Sequence, residues 1–207
     1  MKQSIILRMD MGNSKRTEKL RRQYRSILRR FSNAGNYDGY FIGKVSLEFN
    51  MAADAGKMSE NQAHIIKSRE NYAELAAGGD FADGYLSIHM YLMKPVSKAA
   101  AQSNSGVQNK FAAVNEYTQD MIFSKSEILS FVSDTGDFNP IHQGEHPVVP
   151  GLLIMEKLIL DLMHSFIIRF RTPLYADEPV RLVPHKASGR MDGYKCSDGI
   201  ELFSCKY

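Results

Sequence analysis

Apolar residues recur at Leu20, Tyr24, Ile27, Leu28 and Phe31. This is the spacing of one helical face, and it predicts a helix over residues 13–31, with Asn13 or Ser14 placed to cap its start and residues 33–35 to stop it. The pattern then changes to alternation. Phe41, Val45, Leu47 and Phe49 fall on one side and Tyr40, Lys44, Ser46 and Glu48 on the other, which predicts a half-buried strand over 39–49. After a loop at 52–56, the Ser59-Glu60-Asn61-Gln62 start resembles a capping box and Gly78-Gly79 a stop, so a second helix is expected over 59–77. Alternation returns over 83–93, where Leu86, Ile88, Met90 and Leu92 oppose Tyr85, Ser87, His89 and Tyr91, and Pro95 ends it.

The small, polar, glycine-containing run at 97–109 reads as a linker. A boundary near residue 110 then separates an N-terminal α+β half, 1–110, from a second unit, 111–207. In that unit Ser124 is placed to cap a short helix that carries Ile128, Leu129, Phe131 and Val132 and ends at Gly136. Val149-Pro150-Gly151 precedes LLIMEKLILDLM, which is hydrophobic on nearly all sides and so predicts a buried helix. Strands are expected over 165–175 and 180–188, followed by a hairpin over 193–207 that turns at Ser197-Asp198-Gly199. The fold class is α+β, an antiparallel sheet wrapped around a central helix.

Composition narrows the function classes. The chain is 43% hydrophobic and 24% charged, and no apolar run approaches the roughly 20 residues that cross a bilayer, so no membrane span is expected. A short apolar patch at Ile5 to Leu7 gives way at once to Arg8 and Asp10, unlike a secretory signal, and a cytoplasmic location is expected. Cys196 and Cys205 belong to no paired ligand spacing, so neither a metal nor a redox cofactor is expected. A net charge of +3 makes no case for nucleic acid. Eight Lys and Arg residues nevertheless fall within 13–31. They read most simply as a solvated face, with a dock for coenzyme phosphates or an acidic carrier protein as the sharper alternative. His89 reads as a strand-face residue, His146 and His185 as surface or loop residues, and His164 as a cation at a helix end.

The stretch 136–142, GDFNPIH, carries the chemistry. Asp137 and His142 are five apart, and Pro140 biases Asn139 away from the helical region, so the chain there must turn. Such a path can bring a carboxylate and an imidazole to one small volume, where they could hold and activate a water. Pro150 suits the first turn of the following helix, and the Gly151 amide behind it is placed to receive an oxygen that gains negative charge. On the residues alone, the same Asp-x-Asn-Pro stretch is equally a turn whose Asp137 and Asn139 satisfy backbone amides.

Three blocks in order, FSKSEILSFVSDTGDFNPIH, VVPGLLIMEKL and FRTPLYADEPV, resemble the MaoC-like family, which includes the R-specific enoyl-CoA hydratases. The resemblance spans residues 117–184, and its specific block is Gly-Asp-x-Asn-Pro-hydrophobic-His. It implies a hot-dog fold in which Asp137 and His142 are catalytic, Gly151 donates its amide to the thioester carbonyl, and Asn139 and Pro140 support the loop. The implied reaction is syn addition of water to a trans-2-enoyl thioester giving the (R)-3-hydroxyacyl thioester, or the reverse dehydration. Asp137 would take the water's proton and His142 would deliver one to the alpha carbon. The substrate would be an acyl-CoA or acyl-carrier-protein thioester, no cofactor would be needed, and the protein would be a homodimer.

Four positions depart from the family's pattern. Asp134 stands for an apolar or small residue, Pro150 for a frequent histidine, Ala176 for a frequent glycine, and only eight residues separate His142 from Gly151. The short link bears directly on the shape of the pocket. The N-terminal half has no second Asp-x-Asn-Pro loop, and is either a degenerate second hot-dog that lines an acyl tunnel or an unrelated appendage. Two other functions stay open on the same fold: a non-catalytic module that binds acyl thioesters or carrier protein, and a thioesterase.

Overall fold

The first helix, α1 (Ser14–Leu28), buries the apolar face expected of it: Leu20, Tyr24, Ile27 and Leu28 are all shielded, as is Phe31 in the short 3-10 turn that follows. In this computed structural model the described residues are 14–35, 37, 39–51, 62–94 and 119–207. The expected loop at 52–56 and the linker at 97–109, with the boundary near 110, lie outside them.

Nine strands form one sheet: β1 (Phe41–Asn50), β2 (His64–Arg69), β3 (Tyr72–Phe81), β4 (Gly84–Met93), β5 (Gln119–Met121), β6 (Phe166–Phe170), β7 (Val180–His185), β8 (Arg190–Lys195) and β9 (Glu201–Lys206). Their order is β2-β3-β4-β1-β6-β9-β8-β7-β5, with every pair antiparallel. The two halves of the chain meet where β1 pairs with β6, Val45 opposite Ile168 and Leu47 opposite Phe166. All four side chains are buried, so one core runs through the junction.

The helix expected over 59–77 is not formed. Its described residues are the hairpin of β2 and β3, with Arg69 paired to Tyr72 across a two-residue turn. The glycine pair that reads as a helix stop has a tertiary cause. A side chain at Gly79 would stand 3.0 Å from Ile27 Cγ1, and one at Gly78 would stand 2.6 Å from Tyr85 Oη. Gly79, with the buried Ala73 and Ala77 on the same face, lets α1 lie close against β3, while Gly78 leaves room for Tyr85 on the opposite face. The strand expected over 39–49 forms, but a bulge between Ile42 and Lys44 shifts its register. Phe41 is consequently exposed, and Ile42 packs on the core instead.

The C-terminal half follows the expected order. α2 (Lys125–Thr135) opens on a full capping box between Ser124 and Glu127 and closes at Gly136, whose φ of 72° is left-handed. α3 (Gly151–Leu162) is buried along most of its length. The strand expected over 165–175 stops at Phe170, and Tyr175 rejoins only as a bridge to Val148. The strand expected over 180–188 ends at His185 in a 3-10 turn, Lys186–Ser188.

The basic helix is only partly a solvated face. Arg21 and Arg25 turn inward to Glu156 on α3, a carboxylate just 1% exposed, whereas Arg16, Lys19, Arg22 and Arg29 face solvent. No helix of the described residues is long and apolar enough to cross a membrane.

Candidate active site

Gly136 does two things at the end of α2. Its left-handed backbone turns the chain out of the helix, and the missing side chain leaves room for Ser32 Oγ, which would stand 3.0 Å from a Cβ there. Asp137 follows immediately. Asn139 then braces the turn, accepting from the Ile141 amide at 3.3 Å, while the Asn139 amide donates to Asp137 Oδ1 at 3.4 Å. Pro140 opens a single 3-10 turn, Pro140–His142, that delivers the imidazole. Asn139 and Pro140 thus act as loop braces, which is also the backbone-satisfying role open to any Asp-x-Asn-Pro turn.

Asp137 and His142 do converge. His142 Nε2 stands 3.5 Å from Asp137 Oδ2, with the imidazole 9% exposed and the carboxylate 30% exposed. On its other side His142 Nδ1 is 2.8 Å from the Val148 carbonyl oxygen. A carbonyl only accepts, so Nδ1 carries the hydrogen and Nε2 is the nitrogen free to exchange a proton. The Val148 carbonyl is held in turn. The Val148 amide donates to Ile141 O at 2.9 Å, the Val149 amide to Leu174 O at 2.8 Å, and the Ala176 amide to Pro147 O at 3.0 Å. The short link after His142 is therefore a strap tied to residues 174–176, and it leaves the pocket open.

Gly151 opens α3 behind Pro150, as expected, and borders the same cavity as Asp137 and His142. The reason it must be glycine is Phe170, whose Cζ would stand 2.8 Å from a Cβ at that position. At the start of a helix the first amides lack intrahelical partners and point outward with the positive end of the dipole. The cavity, about 660 Å³, extends well beyond this polar end. Much of its apolar wall comes from the N-terminal half, including Tyr37, Tyr40, Ile42, Leu75, Met90 and Leu92. Reading along the sequence misses these residues, the Val148 carbonyl and Phe170, because all reach the site through strand pairing and tertiary packing rather than local spacing.

His89, His146, His164 and His185 do not border the cavity. His185 instead contacts the buried Asp192 at 3.0 Å, alongside Arg190. Among the described residues no group of three or more His, Cys, Asp or Glu side chains could hold a metal ion.

The sequence matches no family model and no curated protein sequence. Solved structures match over most of its length. HtdX of Mycobacterium tuberculosis superposes with a TM-score of 0.55 at 11% identity, covering 90% of this chain and 84% of that one. A MaoC-like dehydratase from Phytophthora capsici gives 0.50 at 13% identity, covering 84% and 73%. The full-length peroxisomal multifunctional enzyme type 2 of Drosophila melanogaster gives 0.50 at 12% identity, covering 80% of this chain and 36% of that one. The protein thus has the α+β hot-dog fold of the MaoC-like proteins.

Proposed function

We propose that this protein hydrates a trans-2-enoyl thioester to the (R)-3-hydroxyacyl thioester, or runs the reverse dehydration. The observation that carries this reading is the pairing of Asp137 with the Nε2 face of His142 on the wall of a cavity that also borders the Gly151 amide. A water held between the carboxylate and the imidazole would lose its proton to Asp137 as its oxygen adds to the beta carbon. For this step His142 would hold a proton on Nε2 as well as on Nδ1 and deliver the Nε2 proton to the alpha carbon from the same side. The proton taken up by Asp137 would then return to Nε2 across the 3.5 Å between them. The negative charge that grows on the thioester oxygen meanwhile would be met by the Gly151 amide at the start of α3. The reaction moves only a water and its protons. The thioester would be carried by CoA or by an acyl-carrier protein, and the acyl chain would lie along the apolar wall. On this reading the described residues of the N-terminal half belong to a degenerate second hot-dog unit that supplies much of that wall, and each chain has one site.

Loss of absorbance from crotonyl-CoA tests the proposal. Wild type should hydrate it, and Asp137→Asn and His142→Ala should each lower kcat by about a hundredfold or more, the usual range for a positioned acid or base. Activity unchanged in both variants would overturn the assignment. A wild type that binds short and medium enoyl thioesters, carrier-protein forms included, without turning them over would establish a non-catalytic binding module instead.

A further inference from the structure

The Asp137–His142 loop leaves the end of α2, and the Gly151 amide opens α3, so the two parts of the proposed site ride on separate helices. One side chain from α1 joins both. Arg25 Nε and Nη2 donate to the two carboxylate oxygens of Glu156 on α3, at 2.7 and 2.8 Å, and Arg25 Nη1 donates to Asp134 Oδ2 on α2 at 2.6 Å. A guanidinium holds its N–H groups in one rigid plane, so three bonds to two helices fix their relative placement in a way that a flexible ammonium could not. Phe131 of α2 lies against the same group, its ring centre 5.3 Å from Arg25 Cζ.

The grip is local to the site. Asp134 lies three residues before Asp137, and Glu156 lies little more than one helical turn after Gly151. Two neighbours reinforce it: Ser32 fills the space left by Gly136, and the Tyr24 hydroxyl donates to Leu152 O at 3.0 Å. Burial, with the Glu156 charge adding, pushes the Tyr24 phenol well above its ordinary value, so that bond keeps its proton. Asp134, where the resemblance leads one to expect an apolar or small residue, acquires a partner and a purpose.

We infer that Arg25 is a positioning residue that sets the spacing between the Asp137–His142 pair and the Gly151 amide. The inference rests on the hydratase reading for its kinetic consequence, but not for its structural one. Arg25 touches neither Asp137 nor His142 and acts through α2 and α3.

Two variants and two readouts test it. Arg25→Met with Glu156→Met removes both ends of the pair together. After a single substitution the buried Glu156 would keep only Arg21, or Arg25 only the half-exposed Asp134, and a poorly paired charge in the core would threaten folding. Asp134→Ala cuts only the link to α2, at a half-exposed carboxylate whose loss costs the fold little. The readouts are kcat and KM on crotonyl-CoA, and the ring resonances of His142 by NMR. In the double variant kcat should fall about tenfold or more with KM within about twofold, because misplacement of groups that act on the transition state appears in kcat. Asp134→Ala should lower kcat severalfold, and the His142 ring resonances should move in both. Folded variants with wild-type kcat and wild-type His142 resonances would overturn the inference, as would a loss confined to KM. Should wild type hydrate no enoyl thioester, the hydratase reading alone fails, and the His142 resonances decide this one: displaced, it stands; unmoved, it falls. Should the double variant not fold, Asp134→Ala decides by the same measurements.

Discussion

His142 Nδ1 and the Val148 carbonyl oxygen lie 2.8 Å apart, and that contact dictates which imidazole nitrogen faces Asp137. The acceptor is a backbone atom, fixed by the Ile141–Val148 hydrogen bond and by the bridge between Val148 and Tyr175, so it cannot rotate away from the ring. The neutral imidazole is therefore expected as the tautomer with hydrogen on Nδ1. Two-bond nitrogen–proton correlations on labelled histidine check this directly. A neutral His142 that carries its hydrogen on Nε2 would contradict the contact.

Gly151 and Phe170 make a second constraint. A Cβ at residue 151 would meet Phe170 Cζ at 2.8 Å and Cε2 at 3.0 Å, and the ring backs onto Phe203, with centres 6.4 Å apart, so its retreat is limited. Gly151→Ala should destabilise the protein by about 1–3 kcal/mol, the usual cost of overpacking a core. Chemical denaturation measures that loss. Adding Phe170→Leu should recover most of it; two independent, additive losses would show that the ring is not what requires glycine there.

Local signals along the chain are informative where local physics decides. Ser124, Glu127 and Gly136 mark both ends of α2 because capping is a matter of three or four adjacent residues. The apolar run after Pro150, interrupted only by Glu156, Lys157 and Asp161, places α3 in the interior for the same kind of reason. Asp137, His142 and Gly151 border one cavity as their spacing suggested, although the spacing alone fits a plain turn equally well. What is not legible depends on distant partners. Gly78 and Gly79 resemble a helix stop until Ile27 and Tyr85 are seen against them, and the residue skipped at the β1 bulge shows only once β4 is paired. The acyl wall is illegible for that reason too, because Leu75 and Met90 reach the cavity only through the folding of β3 onto β4.

Cys205 gives a prediction about pH. Burial, with the nearby Asp192 charge adding, pushes its thiol up to about 12. An unfolded chain would ionise it near the ordinary value of about 8.5. The folded state therefore holds a proton that the unfolded state has lost, and stability from this group is complete below about pH 8.5 and lost as pH rises toward 12. In the native protein iodoacetamide at pH 8.5 should modify the half-buried Cys196 and spare Cys205 until denaturant is added. Cys205→Ala should flatten the alkaline decline of the denaturation midpoint. Rapid native labelling of Cys205 would show that its burial is not maintained.

The cavity wall contributed by the N-terminal half should set the acyl length that the site accepts. Leu75 on β3 stands directly opposite Met90 on β4, and both line the cavity, well removed in sequence from the Asp137–His142 loop. Met90→Trp would put an indole into space that a longer chain must occupy, while a four-carbon acyl group held beside His142 would have no need of it. Each methylene denied burial costs ~0.8 kcal/mol, so excluding two should lower kcat/KM by about tenfold. An eight-carbon enoyl thioester should therefore lose about tenfold more than crotonyl-CoA does, with crotonyl hydration nearly unchanged. Equal losses on both substrates would mean that the substitution had disturbed the whole site, and that the acyl chain takes some path other than along β3 and β4.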